Sequence, residues 1–104
     1  MRRMYVIVDS SLTKSQRIPQ ASHAIAEFVY RYSDDKAVRQ WVCNDRTLVC
    51  LQSDSRILHD YLEQYQGMKA FFIDQDLNDM LTACAFGPLD AEEGNKLFGQ
   101  LKLA

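Results

Sequence analysis

The fold is decided by residues 4–32, which read MYVIVDSSLTKSQRIPQASHAIAEFVYRY. Residues 4–8 are apolar and rich in β-branched side chains, a pattern typical of a short buried strand. A polar Asp-Ser-Ser run ends that strand. A helix then runs to about Tyr32, with Ser15 as its N-cap and Pro19 in its first turn, where a missing N–H is tolerated. This stretch therefore predicts a strand followed by an amphipathic helix.

The predicted helix has one apolar and one polar face, because both kinds of residue recur at helical spacing. The face expected to meet the core carries Ile18, Ala21, Ile25, Phe28, Val29 and Tyr32. The opposite face carries Gln16, Gln20, His23 and Glu27. The polar face is either an ordinary solvated surface or part of a functional site.

Strands and helices alternate along the rest of the chain. The patterns predict strands over 47–52, 70–73 and 81–86, a helix from Asp54 or Ser55 to Gly67, and a helix from about Asp90 to Phe98. An Asn44-Asp45 turn precedes the second strand, Gly87-Pro88 ends the fourth, and residues 101–103 form a tail. The order β-α-β-α-β-β-α predicts an α/β protein with a mixed, largely parallel sheet covered by helices.

Length and composition indicate one globular domain over residues 1–104. Hydrophobic residues make up 47% of the chain and charged residues 25%, which are ordinary values for a folded domain. No apolar segment approaches the roughly 20 residues that cross a membrane, and the short apolar run before Asp9 does not resemble a signal peptide.

Three widely spaced cysteines, Cys43, Cys50 and Cys84, predict reduced core thiols in a cytoplasmic protein, and neither disulfides nor a zinc site.

Charge is unevenly distributed, although the net charge is only −2. Residues 1–40 contain seven bases and four acids, whereas residues 47–104 contain four bases and nine acids. A phosphate-bearing partner would therefore be met by the N-terminal part of the fold. Ordinary surface variation explains the same asymmetry equally well.

The sequence has no Walker or Rossmann glycine pattern, no GxSxG motif and no metal-ligand spacing. Three features could carry chemistry. The start of the first helix offers unpaired N–H groups and partial positive charge to a phosphate or an oxyanion. The acidic loop 74–79 follows a predicted strand, and a carboxylate there could position a water. Thr82 offers a hydroxyl. The alternatives are a solvated helix face, a polar turn and a structural β-branched residue.

Taken together and in order, several segments resemble type II peptidyl-tRNA hydrolases. Gln20-Ala21-Ser22-His23-Ala24 resembles that family's signature at the start of its first helix, and the segment from Thr82 to Pro88 resembles its strand ending in Gly-Pro. Gly99-Gln100-Leu101-Lys102-Leu103 resembles its terminal Gly-x-Leu-Lys-Leu. Trp41, Asn44 and the Thr-Leu-Val run at 47–49 resemble the shorter bacterial and phage-type members.

This resemblance implies a three-layer α/β fold with a four-stranded mixed β-sheet flanked by helices, and a homodimer. It also implies hydrolysis of the ester of peptidyl-tRNA without a metal or an organic cofactor, in the cytoplasm. The expected catalytic residues are Lys14, Gln20, His23, Asp74, Asp76 and Thr82. The expected contacts with tRNA are Arg3, Lys14, Gln16 and Arg17.

Two departures from the family pattern bear on activity. Many members have Gly-Lys-Gly-Lys before the helix, and here the string is Thr13-Lys14-Ser15-Gln16. An amide at Gln16 cannot supply the cation of the second lysine. The acidic loop is also about four residues shorter than in longer members, which leaves the choice between Asp74 and Asp76 open.

Two other hypotheses therefore remain: a catalytically weak module that binds tRNA or a protein, and a domain whose partner the sequence does not reveal.

Overall fold

The computed structural model describes residues 1–104 and contains one five-stranded sheet in the order β3-β4-β1-β2-β5. The strands are β1 (Arg2–Asp9), β2 (Thr47–Ser53), β3 (Lys69–Asp74), β4 (Met80–Asp90) and β5 (Lys102–Leu103). The α/β class and the mixed sheet are confirmed. The two-residue β5 adds a fifth strand to the four that were expected. The expectation of a largely parallel sheet is wrong, because only β1 and β2 pair in parallel.

Four helices cover the sheet. They are α1 (Lys14–Arg31), α2 (Lys36–Gln40), α3 (Ser55–Gln64) and α4 (Ala91–Phe98). None of them is long and apolar enough to cross a membrane. The short α2 was not predicted; it continues into a π-helical turn (Trp41–Asp45) where a simple turn was expected.

The first helix begins two residues earlier than its sequence pattern suggested. Thr13, and not Ser15, is the N-cap of α1. Its hydroxyl accepts a hydrogen bond from the backbone N–H of Gln16 at 3.3 Å, and the Gln16 side-chain oxygen accepts one from the Thr13 N–H at 2.9 Å. This reciprocal capping box satisfies two backbone donors at the helix start. It also places Lys14 in the first turn.

Two apolar cores lie on the two faces of the sheet, and β1 contributes to both. Met4, Val6 and Val8 face α1 and α2, whereas Tyr5 and Ile7 face α3 and α4. Alternate side chains of a strand point to opposite faces, so a strand covered on both sides reads as a continuous apolar run.

The core face predicted for α1 is confirmed by the structure, with one exception. Ala24 and Phe28 are fully buried against the sheet, and Ala21, Ile25, Val29 and Tyr32 pack around them. Ile18 belongs to the same apolar stripe but is 73% exposed. Its expected place in the core is therefore wrong, and the apolar stripe of α1 extends one turn beyond the core that it covers.

Strand β4 runs through Gly87-Pro88, so the prediction that it ends there is wrong. It also contains a β-bulge, since Phe72 pairs with Ala83 and Ile73 pairs with Leu81, which leaves Thr82 as an extra residue. Leu81 packs on the α3 side of the sheet, and Ala83 packs on the α1 side. The Thr82 side chain also points toward α1, where it bonds Gln20. The bulge therefore aims two consecutive side chains at the same helix.

All three cysteines are free, as expected, but they are not all in the core. Cys84 is buried, Cys50 is partly buried and Cys43 is exposed. Burial raises the pKa of the Cys50 thiol and raises that of the Cys84 thiol to about 12. The prediction that all three thiols fill core space is therefore wrong for Cys43.

These differences predict an order of alkylation. At pH 8 we expect iodoacetamide to modify Cys43 first, then Cys50, and Cys84 only on unfolding, because the thiolate is the reactive species. A rise in pKa from 9.0 to about 12 lowers the thiolate fraction of Cys84 about a thousandfold. Peptide mass mapping against time gives the three rates, with a urea-unfolded sample as the control. Equal rates in the folded protein would contradict the burial of Cys84.

Candidate active site

A buried glutamine connects the first helix to two strands of the sheet. Gln20 is only 6% exposed. Its side-chain N–H donates to an Asp74 carboxylate oxygen at 2.7 Å, and its side-chain oxygen accepts from the Thr82 hydroxyl at 2.6 Å. Gln20 lies in α1, Asp74 ends β3, and Thr82 occupies the bulge of β4. The three side chains form one hydrogen-bonded chain, which we call the Gln20 network.

The structure distinguishes between the two candidate carboxylates of the acidic loop. One Asp74 oxygen accepts from Gln20, and the other accepts from the Asp76 backbone N–H at 2.9 Å, which caps a 3₁₀ turn over Gln75–Leu77. The Asp76 side chain is exposed and lies outside the network. Asp74 is therefore the carboxylate that the fold joins to Gln20 and Thr82.

His23 lies one turn beyond Gln20 on α1 and is exposed to solvent. Its imidazole stacks on the Phe72 ring, with centroids 4.3 Å apart and planes inclined by 17°. The Phe72 carbonyl oxygen is 3.3 Å from the Thr82 hydroxyl, so His23 borders the Gln20 network. Sequence reasoning did not single out Phe72. Its position in an apolar strand gave no signal of contact with an imidazole.

Lys14 lies on the other flank of α1. Its side chain lines a hollow with Val8, Ala21 and Cys50, next to β2, and has no intramolecular hydrogen bond or salt bridge. Gln20 instead faces β3 and β4. Lys14 and the Gln20 network therefore lie on opposite sides of the first turns of α1.

The other expected tRNA contacts already have structural partners or lie elsewhere. Gln16 completes the capping box of α1. Arg17 donates to the carbonyl oxygens of Ser10 at 2.8 Å and Leu12 at 3.1 Å, and so clamps the loop before the helix. Arg3 lies on the α4 side of the sheet and lines a small hollow with Tyr5. Only Lys14 and Arg17 thus bring positive charge to the start of α1.

Asp9 is a buried acid that the sequence pattern indicated only as a strand end. It is 2% exposed, and one carboxylate oxygen accepts from the Ser11 N–H at 2.9 Å and the Ser11 hydroxyl at 2.7 Å. Its other oxygen has no hydrogen-bond partner. Together with Arg17, Asp9 holds the loop that leads into Lys14. An acid directly after a buried strand is the signal that could have identified it.

The arrangement suits hydrolysis by an activated water. The Asp74 carboxylate has lone pairs left to accept a hydrogen bond from a water, since each oxygen accepts only one bond within the chain. Gln20 fixes the orientation of that carboxylate, and Thr82 fixes the orientation of the Gln20 amide. The N-terminus of α1, which carries partial positive charge, lies about two turns before Gln20. No group of three His, Cys, Asp or Glu side chains is placed to hold a metal ion.

The chain also matches a known protein family. A family model described as "Peptidyl-tRNA hydrolase PTH2" matches residues 2–104. The chain belongs to this family. Members of the PTH2 family are ester hydrolases that act on peptidyl-tRNA, so the resemblance found from separate motifs is confirmed over nearly the whole chain. No individual curated protein matches the chain.

The Gln20 network predicts a stability effect that can be measured in this PTH2 protein. Thr82→Val removes the hydroxyl and leaves the buried Gln20 oxygen without its donor. An unsatisfied buried polar group costs about 1–3 kcal/mol, so we expect the free energy of unfolding in urea to fall by that amount.

Thr47→Val is the matched control for this experiment, because the Thr47 hydroxyl contacts only the sulfur of Met1 at 3.7 Å. A double variant with Gln20→Leu should cost less than the sum of the two single variants, since the two residues share one bond. Full additivity would show that the bond contributes nothing.

Proposed function

We propose that this PTH2 protein cleaves the ester between a peptide and the tRNA 3′ end with a water held by the Gln20 network. The observation that carries the proposal is the paired hydrogen bonding of Gln20 to Asp74 and Thr82, at 2.7 and 2.6 Å. A carboxylate fixed by a buried amide is preorganised to orient a water and to accept its proton.

The reaction needs charge stabilisation as well as a base. In the proposed mechanism, water attacks the ester carbonyl carbon while Asp74 accepts a proton, which gives a tetrahedral oxyanion. The partial positive charge at the start of α1 favours that oxyanion, whereas Lys14, on the other side of the helix, is assigned to the terminal phosphate of the tRNA. The intermediate then expels the ribose oxygen, which takes a proton from His23 or from Asp74.

The basic residues of the N-terminal part would hold the tRNA. Lys14 and Arg17 lie at the start of α1, where a terminal phosphate would approach, and Gln16 offers a free amide N–H in the same turn. Arg3 lies on the α4 side, so we assign it a contact with tRNA farther from the ester. Cytoplasmic location is part of the proposal, because the substrate is a product of translation.

We also propose that the chain acts as a single domain that forms a homodimer. Strand β3 lies at the edge of the sheet, with its outer backbone groups unpaired by any strand. Phe71 and Ile73 on this edge are 37% and 44% exposed. An exposed apolar edge strand is a surface that a second chain can cover.

The choice of carboxylate gives the sharpest test of the mechanism. Asp74→Asn removes the base and should lower kcat for release of N-acetylphenylalanine from its tRNA by about 100-fold or more. Asp76→Asn makes the same chemical change two residues away and should alter kcat by less than about twofold, because that side chain lies outside the network. Initial rates are compared after circular dichroism confirms folding of both variants. If Asp76→Asn lowered kcat more than Asp74→Asn did, the base would be Asp76 and not Asp74.

Gln16 tests the need for positive charge at the helix start. Gln16→Lys adds a cation and should raise kcat/KM several-fold at low salt, with a smaller gain at high salt because ions screen the charge. Gln16→Glu is the matched control, since it keeps the capping box but adds a negative charge, and it should lower kcat/KM. If both variants matched the wild type, charge at this position would be irrelevant to the substrate.

A further inference from the structure

The loop between β1 and α1 contains one peptide group that is hydrogen-bonded on both sides. Its N–H, which belongs to Ser11, donates to an Asp9 carboxylate oxygen at 2.9 Å. Its carbonyl oxygen, which belongs to Ser10, accepts from a terminal nitrogen of Arg17 at 2.8 Å. The N–H and C=O of a trans peptide point in opposite directions from one rigid plane. Asp9 and Arg17 therefore hold opposite edges of the same plane.

Asp9 controls the middle of this loop, because the two ends are anchored by other contacts. The Ser10 N–H donates to the Ser53 carbonyl oxygen at 2.8 Å, and Leu12 is only 6% exposed. Between them, Ser11 is bonded to Asp9 twice, since its hydroxyl donates to the same carboxylate oxygen at 2.7 Å. Without Asp9, the Ser10–Ser11 peptide group would be free to rotate between two fixed ends.

The Arg17 guanidinium depends on the direction of the loop carbonyls. It donates to the Ser10 oxygen at 2.8 Å and to the Leu12 oxygen at 3.1 Å. Both acceptors are neutral, and a guanidinium has five N–H donors, so charge and donors remain for a ligand. A long side chain that is already fixed loses less entropy when it binds an anion.

The second oxygen of Asp9 indicates a role beyond holding the fold. It is buried and has no hydrogen-bond partner. An unsatisfied buried oxygen lowers stability. Ser11, by contrast, is exposed, so water would replace the two bonds that it makes to Asp9. The fold thus gains little from this buried acid, whereas Arg17 gains a fixed acceptor.

We propose that Asp9 is a positioning residue for substrate binding, which holds the Arg17 guanidinium ready for a phosphate of the tRNA through the Ser10–Ser11 peptide group. The inference rests on the proposed function, in which Lys14 and Arg17 hold the tRNA. Asp9 is buried and acts only through Arg17. By accepting the N–H, its carboxylate polarises the peptide group and makes the carbonyl oxygen a stronger acceptor.

The test measures how Asp9 affects binding of N-acetylphenylalanyl-tRNA over a series of salt concentrations. Asp9→Ala should raise KM about five- to tenfold and leave kcat within about twofold, because one charged contact is weakened. The slope of log KM against log salt should fall by about 0.7–0.9, which is the share of one phosphate contact. Asp9→Asn keeps an acceptor for Ser11 and should stay within about twofold of the wild-type KM.

A purely structural role of Asp9 would give a different result. It would lower the urea midpoint of unfolding without changing the salt slope. Asp54→Ala is the matched control, since Asp54 accepts from the Ile57 N–H at 2.9 Å and caps α3. We expect this control to lower the urea midpoint and to leave KM and the slope unchanged.

A double variant tests whether Asp9 acts through Arg17. In the Arg17→Gln background, Asp9→Ala should raise KM by less than about twofold, because the positioned cation is already absent. A full five- to tenfold rise in that background overturns the proposal. An impairment of Asp9→Asn as large as that of Asp9→Ala also overturns it, since Asn retains the acceptor.

Ser11→Ala gives a second test that does not depend on the folding of the Asp9 variants, because Ser11 is exposed. It removes the hydroxyl bond to Asp9 and should raise KM about two- to threefold. An unchanged KM and an unchanged salt slope in this variant overturn the proposal.

Failure of this inference differs from failure of the proposed function. Cleavage with the same KM and salt slope in wild type and Asp9→Ala overturns the role of Asp9 and leaves the hydrolase intact. If the wild type cleaves nothing, the proposed function fails, and fluorescence anisotropy with uncharged tRNA decides the inference. Weaker binding with a smaller salt slope in Asp9→Ala then supports it, and equal binding or no binding by the wild type overturns it.

Discussion

The hydrogen bonds of the Gln20 amide hold together the part of the molecule on which the proposed chemistry depends. An amide buried in a protein interior is stable only if its donor and acceptor are both satisfied. Asp74 and Thr82 satisfy them from two different strands. The same two bonds therefore tie α1 to β3 and β4 and fix the rotation of the carboxylate and the direction of the hydroxyl. Loss of any one partner leaves the others wrongly oriented as well as less stable.

The site has two flanks because α1 crosses the sheet between them. Toward β3 lie the carboxylate, the hydroxyl and the stacked imidazole of His23. Toward β2 lie Lys14, Arg17 and the apolar hollow. This division places the carboxylate, the hydroxyl and the imidazole apart from the two cations.

Sequence reasoning succeeded where a pattern had one physical meaning. The apolar run of β1 and the stripe of α1 predicted a buried strand and a covering helix because a continuous apolar run and helical spacing are local properties. Gln20 was different, since its helical spacing fits both a side chain on a solvated face and a buried side chain that bonds the sheet. Only the register of β3 and β4 shows which is correct, and register depends on pairing between distant residues. Asp74 and Asp76 could not be distinguished for the same reason. The short α2 was missed because five residues carry too little periodicity.

The bulge at Thr82 bears on how such a site changes over evolution. An extra residue in β4 turns one hydroxyl toward α1 without altering the pairing of the residues on either side, from Ala83 to Phe86 and at Leu81. The direction of the Thr82 hydroxyl is thus set by a local irregularity, while the rest of the strand serves the core. Thr82 is itself fully buried, so only substitutions of similar volume can change the network without repacking the interior. Deletion of a single residue there would rotate the hydroxyl away and abolish the network in one step.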